Sequence, residues 1–279
     1  MGSGAKRVIT VVISIGFFAV SWLSNLVRRI LGGKPRGSAV ILYYHGIRPN
    51  QQAQFANQLD TLMRWAKPID VTFRSSLSDG GRFAAITFDD GFESFLDTAL
   101  PELQERNISA TLFVVAGKLG CFPEWDEYIE DPQFREPLMT REQLARIPAD
   151  LITIGSHTMT HPFLTRVQEA EAKRELRESR KELEGMLGRR IALFSFPHGD
   201  FNSKLVEWCR ESGYEHVFTI LPEPAFCESD QYVIGRVGVN LNDWKIEFLL
   251  KLFGAYSWLP SAFSLKRKTR RMLLKSAVS

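Results

Sequence analysis

The sequence predicts an α/β fold, with a parallel sheet covered by helices on both faces or closed into a (β/α) barrel, preceded by one transmembrane helix. Three observations carry this. Short apolar runs alternate with longer amphipathic stretches, as in chains whose strands are buried on both faces. Val8 to Val27, VITVVISIGFFAVSWLSNLV, is twenty residues without a charge, about the length of a membrane-crossing helix. With 279 residues, 44% hydrophobic and 11% aromatic, the chain can bury a sizeable core.

Lys6-Arg7 and Arg28-Arg29 bracket the apolar span. Ala19 and Ser21 could precede a signal cleavage site, but the apolar run continues to Val27, which favours a retained single-pass anchor. Two basic side chains precede the span and four follow it, so charge counting inclines the body towards the cytoplasmic face. GGKPRGS, residues 32–38, reads as a flexible linker. Candidate strands follow at 39–44, 83–88, 110–116, 151–155, 191–196 and 216–220. Candidate helices lie at 54–66, 92–106, 140–147, 167–187 and 203–212. In the fourth of these, Leu176, Leu183 and Leu187 form one stripe, the rest is a solvated charged face, and Gly188 suits a C-terminal cap. The expected organisation is an anchor and linker over 1–37, a catalytic domain over 38–243 and a basic amphipathic tail over 244–279, whose first half reads equally well as a helix closing the barrel floor.

The net charge of +3 is unevenly spread. Residues 1–37 and 262–279 each carry six basic side chains and no acid, which leaves 23 basic residues against all 32 acids between them. An acidic body argues against nucleic acid as a partner, and basic ends beside apolar segments suggest membrane lipids. Cys121, Cys209 and Cys227 are too few and too scattered for a disulfide framework or a metal motif.

In both architectures, active sites collect where strands end. The six apolar runs bring His45, the pair Asp89-Asp90, His157 with His161, and His198 to such positions. His157 and His161 are four apart and, with one carboxylate, make a two-His, one-acid set suited to a divalent metal with open positions. Adjacent acids can divide the labour, one binding the metal and one accepting a proton. The chain lacks H-E-x-x-H and G-x-S-x-G, which argues against a thermolysin-like protease or a serine esterase.

TFDDG, SHTMTHP and FSFPHG, in this order, resemble the first three motifs of the NodB-like polysaccharide deacetylases, over roughly residues 38–240. The resemblance implies a distorted (β/α) barrel of about seven strands and a divalent metal, with zinc the first candidate. It implies Asp89 as general base, Asp90, His157 and His161 as metal ligands, and the His198 backbone N–H as an oxyanion donor. Pro197, Gly199 and Arg236 are the candidate substrate-binding residues. Two departures stand out. The family's third motif begins with an arginine that pairs with the base; Ser195 stands there, and Arg236 is a speculative substitute. The late histidine that serves as general acid is missing, but ILYYHG near the start resembles a permuted, exopolysaccharide-type subgroup, which makes His45 the candidate acid and His198 the reserve. The expected partners are an acetylated glycan or a lipid-linked sugar. A deacylase of the latter and a non-catalytic glycan-binding module on the same fold are the alternatives.

Overall fold

The computed structural model describes residues 3–33, 37–73, 77, 81–125, 136–226 and 231–262. The basic residues of the tail, 266–275, and Cys227 lie outside them. After helix α1 (Ser3–Ile30), strand β1 (Ser38–Tyr44) leads to α2 (Gln52–Trp65), β2 (Lys67–Pro68) and β3 (Arg82–Phe88). A π-helical turn at Phe95–Ala99 enters α3 (Leu100–Glu105), followed by β4 (Ala110–Val114), α4 (Arg141–Ala145) and β5 (Ile152–Ser156). Then come α5 (Glu169–Leu187), β6 (Leu193–Ser195), α6 (Ser203–Glu211), β7 (His216–Phe218), β8 (Val233–Ile234), β9 (Val237–Gly238) and α7 (Lys245–Leu252).

All strand pairings are parallel, in the order β8-β7-β6-β5-β4-β3-β1-β9, with β2 also paired to β3. The two outermost strands, β8 and β9, are consecutive in the chain and separated only by Gly235-Arg236. The sheet therefore curls until its ends meet at that dipeptide, giving the distorted barrel. The six expected strands are present; β2, β8 and β9 are two residues each, too short to show a periodic pattern.

Period-two alternation sorts the strand side chains into two layers. Ala39, Ile41, Ala85, Phe113, Leu193, Phe218 and Ile234 pack together inside the barrel. Val40, Leu42, Ala84, Ile86, Leu112 and Val114 face the helices, where they meet Phe55, Leu59, Leu103, Leu176 and Leu205. The interior is tight at β5, where a Cβ on Gly155 would stand 2.5 Å from the Phe113 ring. Local signals set the helix ends. Thr140 caps α4 in a capping box with Gln143, Asn202 caps α6, and Gly188 closes α5 in the left-handed region at φ 63°.

Two expectations need correction, and one open alternative is decided. The 92–106 helix is broken, since a π turn fills its first part. Residues 245–256, open between a surface tail and a helix closing the barrel, join the barrel core through Phe248, Leu250, Leu252 and Tyr256. The polar face of α5 is not all solvated: Glu175 and Ser179 are buried. At the N-terminus, α1 is long and apolar enough to cross a membrane, with 11% of its most apolar window buried.

Gly155→Ala should destabilise the barrel by about 1–3 kcal/mol, because the ring of Phe113 cannot move aside without strain. Chemical denaturation of the two proteins would measure this.

Candidate active site

The alternation that points Ala85 inward also points Thr87 and Asp89 inward, one and two steps further along the same face. At this level the interior turns polar. Arg236, from the β8–β9 junction, is fully buried and enters beside them. Its Nη1 donates to Asp89 Oδ1 at 2.7 Å and to Thr87 Oγ1 at 3.0 Å. Its Nη2 donates to Asp89 Oδ2 at 2.8 Å and to Ser195 Oγ at 2.7 Å, and its Nε donates to the Thr219 carbonyl at 3.2 Å. A guanidinium has five N–H donors, and all five are used. None remains for a substrate, so the placement of Arg236 among substrate-binding residues does not fit; its contact is with the carboxylate of Asp89. Burial pushes the Asp89 carboxyl up, but the charge of Arg236, aided by His157, its own hydrogen bonds and His45, outweighs this and holds it below its ordinary value.

Asp90 turns the other way. Its backbone is left-handed, φ 73°, and Gly91 follows at φ 88°. That twist takes the second carboxylate off the strand's inward line, and Asp90 Oδ1 comes within 3.4 Å of Nε2 on both His157 and His161. The donor atoms of the three residues lie within 4.8 Å of one another, and all three residues are buried. The His157 Nδ1–H donates to the Ser195 carbonyl at 2.8 Å, which leaves the Nε2 lone pair facing Asp90. Burial lowers the His157 pKa to about 4, so the ring is neutral at pH 7; burial lowers His161 as well. Two neutral imidazoles and a carboxylate converging on one point fit a divalent cation.

The loop that carries the histidines is held from outside the barrel by a residue that sequence reasoning missed. Glu175 of α5 is 1% exposed, and its Oε2 accepts from the backbone N–H groups of Met159 (2.7 Å) and Thr160 (3.0 Å). Its Oε1 accepts from Thr160 Oγ1 at 2.8 Å. The His161 N–H donates to Thr158 Oγ1 at 3.0 Å, which closes a loop with left-handed Thr158 and His161, φ 70° and 63°. A lone glutamate in a charged helical stretch looks like surface. The available signal was its register, since Glu175 adjoins Leu176 and lies three residues after buried Ala172.

His198 and His45 complete the rim. His198, left-handed at φ 56°, stacks on Phe163 at 3.8 Å and meets the His161 ring edgewise at 4.4 Å. It sits between Pro197, which is buried, and Gly199, on which a Cβ would collide with Ile220. His45 follows β1 with its ring edge-on to Tyr43, close to Asp89, His157 and His161. Trp125, 8% exposed, lies over His161 at 4.2 Å and forms a wall that sequence patterning did not reveal. His216, at the start of β7, bonds the Gln231 carbonyl at the opposite end of its strand from the site.

A barrel of this kind, with paired acids after one strand and H-x-x-x-H after another, matches a known family. The profile described as "Polysaccharide deacetylase" matches residues 77–217, about half the chain, and the chain belongs to that family. It is 23% identical to the putative polysaccharide deacetylase YxkH of Bacillus subtilis, over 72% of this chain and 71% of that one. It is 24% identical to a poly-β-1,6-N-acetyl-D-glucosamine N-deacetylase of Staphylococcus aureus, over 74% and 72% of the two chains. Among solved structures, IcaB from Ammonifex degensii superposes with a TM-score of 0.65 at 24% identity, covering 77% of this chain and 97% of its own. The deacetylase PplD of Streptococcus pyogenes superposes at 0.63 and 18% identity, over 78% and 99%. These neighbours share the fold. Family membership and the relatives support carbohydrate deacetylation as the activity.

Two substitutions test the site's construction. Arg236→Met should cost about 3–5 kcal/mol at pH 7, because it leaves a buried carboxylate without its counter-charge. The pH dependence should also change sign. In the native protein, Asp89's contribution is complete above its ordinary pKa of 3.8 and is lost as pH falls through its lowered folded value. In the variant, burial without Arg236 raises that pKa, so the deficit relative to the native protein should shrink as pH falls from 7. Denaturant unfolding in chelator at several pH values reads both effects. Glu175→Ala should weaken cobalt or zinc binding by about 10–100-fold, and Glu175→Gln by less, measured by titration calorimetry.

Proposed function

We propose that the chain is a metal-dependent N-deacetylase of a glycan, acting in cell-surface or exopolysaccharide biosynthesis. The observation that carries this is the division between two adjacent carboxylates. Asp89 is clamped by Arg236 and kept ionised, while Asp90 shares a focus with two imidazole Nε2 atoms. The names of relatives that act on N-acetylglucosamine polymers point to an acetamide as the bond broken.

Asp90, His157 and His161 would hold the cation, and zinc is the metal that two imidazoles and one carboxylate suit. A bound divalent cation supplies Lewis acidity, lowering the pKa of water and polarising a carbonyl. Asp89, fixed by two hydrogen bonds to Arg236, takes the proton of the attacking water. The His198 backbone N–H faces the developing oxyanion, with Pro197 and Gly199 setting that turn beside the sugar. His45, just after β1, donates a proton to the departing amine, so C–N cleavage leaves acetate and a free sugar amine. Arg236 serves as a positioning residue for the base.

Acetate release from an N-acetylated glucosamine oligosaccharide tests this reading. Release should stop on treatment with a chelator, return with zinc, and fall by about 10²–10⁴-fold in Asp89→Asn, as for loss of a general base. His45→Ala should lower kcat by a similar ~10²–10⁴-fold while metal affinity is unchanged, and His198→Ala should do much less because its backbone is the working group. If metal-loaded protein releases no acetate from any acetylated glycan or lipid-linked sugar, the binding-module reading replaces this one. A reversed order for the two histidine variants would make His198 the acid.

A further inference from the structure

The first helix is not a free rod. Arg7, Val11, Ser14 and Phe18, at helical spacing, form one stripe of α1, and this stripe packs against the body. Arg7 pairs with Glu247 at 2.6 Å, donates to the Asn242 carbonyl at 2.7 Å, and lies over the Trp244 ring at 4.5 Å. Val11 is 7% exposed and Ser14 is fully buried, its Oγ accepting from Trp258 Nε1 at 3.0 Å. Phe18 stacks on Phe253 at 5.3 Å, and Phe253 in turn lies under the Arg82 guanidinium at 4.5 Å. Asn242 follows β9 at the active-site end of the barrel, whereas Arg82 begins β3 at the opposite end. The helix therefore runs down the barrel's flank from the catalytic rim to the base.

This arrangement conflicts with a helix that crosses a bilayer. Beyond Phe18 only twelve residues of α1 remain, about 18 Å of helix. A hydrocarbon core is about 30 Å thick. Extending the span back to Ser3 would carry Glu247, Lys251 and Asp243 into hydrocarbon, where such groups are costly. Yet the rest of the helix surface is apolar and open, with Val12, Val20, Trp22, Leu23 and Ile30 between 54% and 74% exposed. Exposed Lys6 lies at one end of this surface, and exposed Arg28 and Arg29 at the other.

We propose that α1 lies in the plane of the membrane interface and holds the barrel on its side on one leaflet, with the cleft mouth opening along the surface. The occupant of the exposed face is an anionic lipid bilayer: acyl chains meet the apolar side and headgroups meet the basic ends. Both ends of α1 then lie on the same side of the membrane. The proposal does not depend on the assignments of metal ligands, base or acid.

Full-length protein carrying Gly4→Cys or Leu31→Cys tests it, with Cys121→Ser and Cys227→Ser in the background and buried Cys209 retained. Gly4 has open space for the new side chain, and Leu31 is 80% exposed. Sealed vesicles from expressing cells, right-side-out and inverted, are treated with a membrane-impermeant maleimide. Both positions should label in the same vesicle population, and in the other only after detergent. Labelling of the two positions from opposite sides would overturn the proposal, as would a mature chain cleaved after α1 or a full chain in the soluble fraction. In a second arm, the triple variant Val12→Glu, Val20→Glu, Leu23→Glu should move the protein to the soluble fraction with acetate release in solution unchanged. Its retention on membranes would also overturn the proposal.

Discussion

The bidentate pair between Arg236 and Asp89 is the constraint around which the rest of this molecule is arranged. It lies where the two ends of the sheet meet, so the residue that closes the barrel also clamps the Asp89 carboxylate. Ion pairs buried this deeply are stable only when the remaining donors and acceptors are met. Thr87 of β3, Ser195 of β6 and the carbonyl of Thr219, just after β7, meet them. The small side chain of Ser195 matters here: it leaves room for a guanidinium arriving from the far edge of the sheet and offers it an acceptor.

The pair also explains why two like charges can sit side by side at Asp89 and Asp90. One is neutralised by Arg236 on the inside. The other is rotated by a left-handed backbone towards two neutral imidazoles, where a divalent cation would balance it. Ser195 links the halves, since its hydroxyl accepts from Arg236 and its carbonyl from His157. Arg236, and with it Asp89, and the His157 ring are thus oriented through one residue. Glu175 gives the histidine loop a second support from α5, and the site is held by barrel interior and outer helix together.

The C-terminal segment has a double role. Phe248, Leu250 and Leu252 complete the core, while Trp244, Glu247, Phe253 and Trp258 receive α1. Arg7 carries a charge at the edge of an apolar helix because Glu247 and Asn242 await it. Ser14, a polar break in the apolar run, has Trp258 as its partner. The same contacts fix α1 against the barrel's flank.

By itself the sequence determined six of the nine strands among the described residues, the parallel α/β class and the residues at those strand ends. Each of these rests on local pattern: apolar runs of strand length, helical stripes, the cap at Gly188, and motifs confined to a few positions. Asp89, Asp90, His157, His161, His198 and His45 were legible because strand ends in a parallel sheet all point to one edge. Only the tertiary structure decided what Arg236 does, because its partners stand 17 to 149 positions away and the two-residue strands flanking it carry no periodicity. The same holds for Glu175, whose burial depends on which side of α5 meets a loop, and for Trp125 over His161. It holds above all for α1. Its composition states that it is apolar, but whether it crosses a membrane or lies along one depends on where Arg7, Ser14 and Phe18 find their partners more than 230 residues later.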